Sequence, residues 1–297
     1  MAQDAERVVK DSMAGLKLPD YARHSALVAS VLGQNPGPFT GPGTNTYLVG
    51  RGAHPILLDT GQGMATYPPI LARALLQLCE DGALERIVLT HAHPDHIGGV
   101  AQVRARWGEL AVLKRPWPER DAAAGLVPTP IGEGDVVQAA GVTLRAIFTP
   151  GHAPDHLCYY LEEEQALFTG DVVLGAGTTV IPDDTGDLGQ YMESLRRLLK
   201  LAPRRIYPAH GPVIEAGEAK IREYIAHREL RERQILTVLG KGPATVAAIV
   251  QAIYRDLPRT LQAAAASSVR SHLKKLAGEG RVTVEEGATA DCWKLRA

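Results

Sequence analysis

The chain has 297 residues, of which 45% are hydrophobic and 22% charged, and its formal net charge is −1. This length and composition are typical of a globular protein with one large domain and a small one. A net charge so close to zero argues against strong nonspecific attraction of the whole molecule to nucleic acid or to an anionic membrane. Its apolar runs fall short of the roughly 18 residues that a membrane-spanning helix needs, so no membrane partner is expected.

The first residues and the cysteines indicate the cellular compartment. Residues 1–7 mix acidic and basic side chains and lack an apolar core, so they resemble neither a secretory signal nor a transit peptide. Cys79, Cys158 and Cys292 are widely spaced and odd in number, which favours reduced thiols over a disulfide framework. We therefore expect a cytoplasmic protein with Cys158 in its core. Whether two copies form a homodimer is left open.

Apolar strands and amphipathic helices alternate through the first two thirds of the chain, after a lead-in at 1–24. Strands are expected at 26–32, 45–49, 55–59, 86–90, 111–113, 142–148, 156–161, 166–169 and 205–207, and helices at 67–78, 94–107, 191–201 and 219–238. The glycine- and proline-rich loop 35–43 is either a plain connection or a wall over a site. Residues 115–130 are expected to be irregular surface. The alternation predicts a mixed α/β (α+β) fold, with a two-layered sheet flanked by helices.

The last part of the chain has a different pattern. Thr245 can cap a helix, a second helix is expected at 260–277, and strands at 281–284 and 292–295 read as a hairpin. Two helices followed by a hairpin are typical of a winged helix. We therefore divide the chain into a large domain at 25–228 and a small one at 229–297. The small domain has eleven basic and seven acidic residues, a net charge of +4.

The most informative stretch, residues 90–99, reads Thr-His-Ala-His-Pro-Asp-His-Ile-Gly-Gly and follows a predicted buried strand. Its proline suits the first turn of a helix, so the polar side chains stand at a strand-to-helix turn. Imidazole and carboxylate groups together suit zinc first, with iron or manganese as alternatives. Four such groups cannot all reach one ion in good geometry. The spacing therefore indicates two ions, one bound by His91 and His93 and the other by Asp95 and His96.

Four further polar residues, Asp59, His152, Asp171 and His210, each follow a predicted strand. A single histidine at a strand end is commonly structural. Taken together, these residues supply one more imidazole for each ion, a carboxylate that could bridge the ions, and a supporting aspartate. The sequence therefore predicts a dinuclear metal site at the ends of several strands.

In this order, the motifs His-x-His-x-Asp-His, Pro-Gly-His, Gly-Asp and a glycine-flanked histidine resemble the metallo-β-lactamase superfamily over about residues 25–215. The resemblance implies an αββα sandwich that binds two zinc ions. It implies one zinc ion on His91, His93 and His152, a second on Asp95, His96 and His210, and Asp171 bridging both. It further implies that Asp59, and with it Thr169, holds the ligand loops from behind. We interpret His156 as a supporting or packing residue rather than a ligand.

Residues 43–50, 175–180 and 207–214, followed by the winged helix, are similar to the lactamase-beta-like endoribonuclease branch. That branch includes a mitochondrial enzyme that cuts single-stranded RNA and fungal thioesterases of polyketide synthesis. The loop at 183–187 is longer than in the RNA-cutting relative and should border the site. The resemblance thus implies a hydrolase that uses a metal-bridging hydroxide, with Asp95 orienting the nucleophile and passing a proton to the leaving group.

The resemblance to this branch makes single-stranded RNA the first expected substrate of the chain. The first alternative is an acyl thioester, cleaved by a thioesterase of the hydroxyacylglutathione hydrolase or polyketide type. The second is a DNA-binding regulator that acts through the winged helix, and we favour simple packing of that domain on the catalytic one.

Overall fold

The computed structural model describes residues 13, 15–51, 54–78, 82–139, 141–254, 261–285 and 291–296. Cys79 lies outside these ranges, whereas Cys158 is fully buried, as expected. No helix in these ranges is long and apolar enough to cross a membrane.

Two sheets face each other in the large domain. The first contains, in chain order, β1 (Tyr21–Arg23), β2 (Val28–Leu32), β3 (Asn45–Val49), β4 (Ile56–Leu58), β5 (Ile87–Val88), β6 (Val112–Lys114) and β7 (Thr129–Pro130). The second, in the spatial order β12-β11-β10-β9-β8, contains β8 (Val136–Ala139), β9 (Val142–Phe148), β10 (Leu157–Leu161), β11 (Ala166–Gly170) and β12 (Arg205–Pro208).

Helices cover the outer faces of both sheets, and two further helices belong to the C-terminal part of the chain. In chain order, the helices are α1 (Tyr67–Leu76), α2 (Pro94–Ile97), α3 (Val100–Trp107), α4 (Pro118–Ala123), α5 (Leu188–Leu199), α6 (Gly217–Leu239), α7 (Val246–Ile253) and α8 (Gln262–Gly278). In β3, Leu48 packs towards α1, whereas Tyr47 and Val49 pack against the second sheet. This alternation follows from the two-residue period of a strand. Ile206 of β12 packs towards α5, so the layers are helix, sheet, sheet and helix, which confirms the predicted αββα sandwich.

The C-terminal part has its own apolar core. β13 (Ala244–Thr245) and β14 (Val282–Glu285) flank β15 (Cys292–Leu295) in a small sheet. This sheet, α7, α8 and the end of α6 enclose a core around Ile249 and Val269. The Thr245 hydroxyl accepts a hydrogen bond from the backbone of Ala248, as expected of a cap. The winged helix is confirmed. Because α6 runs without interruption through residue 228, the division of the chain at that position stays a prediction.

The structure differs from the sequence-based expectation in several places, which include the unpredicted strands β8 and β13. The lead-in contains β1, which pairs with β2, and the segment 115–130 contains α4 and β7. The helix expected at 94–107 is interrupted at Gly98 and Gly99. A Cβ atom at Gly99 would lie 2.1 Å from the carbonyl oxygen of Thr60. The break therefore allows the strand end that carries Asp59 to approach the metal-motif turn closely.

Candidate metal centre

The polar residues predicted from the sequence meet at one end of the sandwich. Each lies just beyond the end of a strand, namely β4, β5, β9, β11 or β12. β4 and β5 are parallel neighbours, and so are β11 and β12. Parallel neighbours bring their carboxyl ends to the same edge of a sheet, so residues far apart in sequence become adjacent.

Seven side chains form two groups, and within each group the candidate ligand atoms lie within 4.8 Å of one another. The first group is His91, His93, His152 and Asp171, and the second is Asp95, His96 and His210. Asp171 faces both groups: its Oδ2 is 3.4 Å from His152 Nε2, and its Oδ1 is 3.2 Å from His210 Nε2. The two groups are those that the sequence motifs imply.

Hydrogen bonds behind the site fix which imidazole nitrogen faces it. Asp59 Oδ2 lies 2.8 Å from His96 Nδ1, and a carboxylate only accepts, so Nδ1 carries the proton. Thr90 Oγ1 donates to the same carboxylate and therefore accepts from His91 Nδ1, 3.0 Å away. His152 Nδ1 donates to the carbonyl oxygen of Val180 over 2.7 Å. In His91 and His152 this leaves Nε2 as a lone pair that faces the site, whereas His96 faces the site with an Nε2 that must lose its proton before it can bind a metal ion.

This arrangement fits a metal ion better than a network of hydrogen bonds. The lone pairs on His91 Nε2 and His152 Nε2 lie 2.9 and 3.0 Å from the same atom, His93 Nδ1. A neutral imidazole there can donate only one hydrogen to them. His96 Nε2 and Asp171 Oδ1 are buried, lie 3.4 Å apart and make no hydrogen bond of good geometry within the described ranges. Nitrogen and oxygen donors that converge in this way suit a divalent cation, whose ligands are oriented by partners behind them.

The remaining predicted residues support the site from behind. The backbone N–H of Asp171 donates to His156 Nε2 over 3.2 Å, so that nitrogen is not free to bind metal, and Nδ1 lies 2.9 Å from Thr149 Oγ1. Thr169 Oγ1 donates to the carbonyl oxygen of Val173 and braces the turn that carries Asp171. Asp59 adopts φ +59°, a left-handed conformation that is uncommon outside glycine and concentrates at functional sites.

Burial and nearby charges shift the pKa values of the histidines in opposite directions in the two groups. Burial lowers the pKa of His93 to about 4, and it also lowers the pKa values of His91 and His152. Burial opposes protonation of His210 as well, but the carboxylate of Asp171 outweighs it and raises the pKa to about 9. The carboxylates around His96 likewise hold its pKa well above the usual value despite burial. In the metal-free protein at neutral pH, the histidines of the first group are therefore neutral, Asp171 is a carboxylate, and the histidines of the second group carry protons.

This difference predicts a two-step loss of metal in acid. Because the pKa values of His96 and His210 are raised, an ion in the second group competes with protons already at neutral pH, and its affinity falls as the pH falls. The lowered pKa values of the first group keep that site competent to a lower pH. Dialysis between about pH 8 and pH 5, followed by metal analysis, should show one ion leaving before the other. His210→Ala should remove the acid-sensitive step, and simultaneous loss of both ions would contradict the prediction.

Comparison with known proteins decides the family. The sequence profile of the metallo-beta-lactamase superfamily matches residues 39–210, more than half of the chain. The chain belongs to the metallo-beta-lactamase superfamily. The profile of the beta-lactamase associated winged helix domain matches residues 245–293.

Relatives of this superfamily member match it along most of its length. It is 41% identical to lactamase-like protein aptB of Emericella nidulans, over 92% of this chain and 88% of that protein. It is 40% identical to an atrochrysone carboxyl ACP thioesterase of Aspergillus chevalieri, over 90% of this chain and 86% of that protein. The structure of a beta-lactamase domain protein from Burkholderia ambifaria superposes with a TM-score of 0.80, covering 95% of this chain and 96% of its own. Its 21% identity limits that likeness to the fold.

Behind the superfamily's metal motifs, a buried ionic cluster supports the histidine loop 152–156. Lys114 is fully buried, and its Nζ lies 2.8 Å from Asp121 Oδ1 and 2.7 Å from Asp155 Oδ2. Burial raises the pKa of Asp155, and the Lys114 ammonium group opposes that rise. Three ionic groups are thus removed from water together, next to His156. Nothing in the sequence motifs points to this cluster.

In this superfamily member, the winged helix contacts residues 180–183, which follow the turn that carries Asp171. Asp183 receives hydrogen bonds from Arg270 Nε over 2.8 Å and from Ser267 Oγ over 3.1 Å, both on α8. Lys274 Nζ donates to the Asp183 carbonyl oxygen over 2.6 Å. The carbonyl oxygen that accepts from His152 belongs to Val180, three positions earlier. The small domain therefore anchors the segment that orients His152, a candidate metal ligand. Sequence reasoning missed this link because a backbone carbonyl has no sequence signature.

Proposed function

We propose that the chain hydrolyses acyl thioesters presented on a carrier protein, with the two groups of side chains holding two zinc ions. The observation that carries this proposal is the 40% identity to an ACP thioesterase across 90% of the chain. The imidazole and carboxylate donors described above are those that zinc accepts, and manganese and iron are the alternatives. When bound, such ions would lower the pKa of water and polarise the thioester carbonyl group.

Asp95 is our candidate catalytic residue within this proposal. Its Oδ2 lies 3.2 Å from His210 Nε2 and 3.3 Å from Thr44 Oγ1, and its side chain is 20% exposed, so it faces both the cluster and solvent. Burial opposes ionisation, but His96 and His210 outweigh it and hold the pKa of Asp95 well below its usual value. The carboxylate would orient the attacking water, accept its proton and pass that proton to the leaving thiolate.

Hydrogen bonds link the base of the loop 35–43 to Asp95 in the histidine-rich turn. This link supports the interpretation of the loop as a wall over the site. Asn35 Nδ2 donates to Thr44 Oγ1 over 3.0 Å, and that hydroxyl also contacts Asp95. On this loop Phe39 is 71% exposed, and Val180, next to His152, is 42% exposed. Exposed apolar side chains on both segments are suited to an acyl chain.

Truncating Phe39 tests this acyl surface. We expect Phe39→Ala to raise KM for long-chain acyl thioesters by about tenfold, because covering a phenyl ring contributes on the order of 1.5–3 kcal/mol. KM for an acetyl thioester and kcat should change little. Val127→Ala removes another highly exposed apolar side chain and serves as the matched control. Equal effects of the two variants, or none, would contradict an acyl-binding role of Phe39.

Single-stranded RNA cleavage is the second candidate, because the motifs at 43–50, 175–180 and 207–214 resemble the endoribonuclease branch. The winged helix gives little support to a DNA-binding regulator, since the cations of α8 are already engaged within the chain. Arg270 and Lys274 bind Asp183, and Lys275 Nζ lies 2.6 Å from Glu232 Oε2.

A paired assay of the zinc-loaded chain separates the candidates. One arm uses acyl-carrier-protein thioesters together with S-lactoylglutathione, and the other uses a fluorescent single-stranded RNA. His93→Ala, which removes a proposed metal ligand, is the blank in both arms. Thioester turnover that this variant abolishes, with intact RNA, is the expected result. Metal-dependent RNA cleavage without thioester turnover would overturn the thioesterase proposal in favour of the nuclease.

A further inference from the structure

A cavity of about 250 Å³ lies between α5, α6 and α8, where the two domains meet, and none of its lining residues belongs to the metal centre. Its wall contains four cations, Arg196, Arg228, Arg233 and Lys275, and two carboxylates, Glu229 and Glu232. The cavity therefore has a surplus of two positive charges. A surplus of charge in a concave, partly desolvated space attracts ions of the opposite sign.

One of the two carboxylates is already fully engaged. Glu232 Oε2 lies 2.6 Å from Lys275 Nζ, and its Oε1 lies 2.5 Å from Arg281 Nη1. Glu229 is half exposed and lies 3.7 Å from Arg196, a contact that is worth little in water. Neither carboxylate therefore neutralises Arg228 at the back of the cavity.

Arg228 is a buried guanidinium group without a counter-ion. It is 6% exposed, donates from Nη2 to the carbonyl oxygen of Thr179 over 2.6 Å and lies over the ring of Tyr191. Its Nε has no hydrogen-bond partner, and it forms no ion pair with any carboxylate in the part of the chain that the structure describes. Burying an unpaired charge is costly, so such a group calls for an anion.

His272 adds an unused polar group to the same wall. It is 1% exposed, and neither Nδ1 nor Nε2 has a hydrogen-bond partner among the described residues. Burial and the positive charges of Arg228, Arg231 and Lys275 lower its pKa to about 3, so the ring is neutral. It thus offers one N–H donor and one acceptor, and leaving both unmet in the interior is unfavourable.

We propose that this cavity is a binding site for a small oxyanion of the phosphate class. Arg228 and His272 hold the anion at the back, and Arg196 and Arg233 close the rim, while Lys275 stays paired with Glu232 and Glu279. The guanidinium groups match the oxygen geometry of phosphate. The single hydroxyl of monohydrogen phosphate can donate to the imidazole acceptor, while the imidazole N–H donates to another phosphate oxygen. Since a water molecule occupies about 30 Å³ in the liquid, the volume has room for phosphate and several waters.

Calorimetric titration of the metal-loaded full chain with inorganic phosphate tests the site. Arg196→Ala removes an exposed cation of the rim, and His272→Leu removes the buried imidazole. Arg222→Ala, an exposed arginine of α6 that does not line the cavity, is the charge-matched control. We expect the phosphate Kd to rise about tenfold in each cavity variant, as the loss of a hydrogen bond to a charged group implies, and to stay unchanged in the control.

Phosphate that binds only at the metal centre would give the same Kd in all four proteins, and this outcome would overturn the proposal. An equal loss in Arg222→Ala would also overturn it, because the effect would then be general charge attraction. So would a wild-type chain that binds no phosphate. If His272→Leu does not fold, as circular dichroism would show, Arg196→Ala and its control decide the question alone.

Discussion

Asp95→Asn is expected to lower kcat by about 100- to 10,000-fold, the range that general acid–base groups contribute. Asparagine keeps the size of the side chain but can neither accept a proton from water nor deliver one to the leaving thiolate. The first group, which consists of His91, His93, His152 and Asp171, does not include Asp95 and should keep its ion. Turnover and metal content are therefore measured on the same preparation.

Two comparisons make the result for Asp95 specific. Asp135→Asn applies the same chemical change to an exposed aspartate in a turn and should leave turnover unchanged. Full activity of Asp95→Asn would exclude the proton-transfer role. Loss of both ions together with activity would show that Asp95 acts through metal binding alone.

Lys114→Met is expected to lower the free energy of unfolding by about 3–5 kcal/mol, the cost of removing one partner from a buried ionic cluster. The change leaves Asp121 and Asp155 buried without the ammonium group that both contact. Because Asp155 adjoins His156 and stands three residues after His152, retention of metal should fall as well. Urea unfolding and metal analysis measure the two effects.

Lys241→Met removes a charge from an exposed turn and is the matched control for Lys114, with an expected change within about 0.5 kcal/mol. An unfolding free energy of Lys114→Met equal to that of wild type would mean that the two carboxyl groups take up protons at little cost. In that case stability should depend on pH more steeply in the variant than in wild type, because the carboxyl groups titrate as the protein unfolds.

The candidate metal ligands could be predicted from the sequence because their chemistry is local. His91 to His96 stand together in one turn, and each of the other ligands follows a strand that its apolar residues indicate. Close contacts between backbone segments could not be predicted in the same way. At Gly98 and Gly99 the absence of a side chain allows a segment distant in sequence to approach. No short motif reports such a contact.

The supporting roles of Thr90 and Lys114, unlike those of Asp59, Thr169 and His156, escaped sequence reasoning for a related reason. Thr90 is an ordinary residue that becomes important only because Asp59 lies beside it in space. In the sequence, Lys114 is a polar residue at the end of a short strand. Its role becomes visible only in the structure, where it contacts Asp121 and Asp155. These roles depend on pairs of residues far apart in the chain.

The contacts between α8 and Asp183 also bear on the order in which the protein matures. During translation, Lys274 is added 91 residues after Asp183. The segment around Asp183 therefore still lacks its α8 partners after every candidate ligand has been synthesised. During that interval nothing on α8 holds the segment whose Val180 carbonyl orients His152. Capture of metal with full affinity would thus be one of the last events of biosynthesis, and a stalled or prematurely terminated chain would carry the ligands without their final orientation.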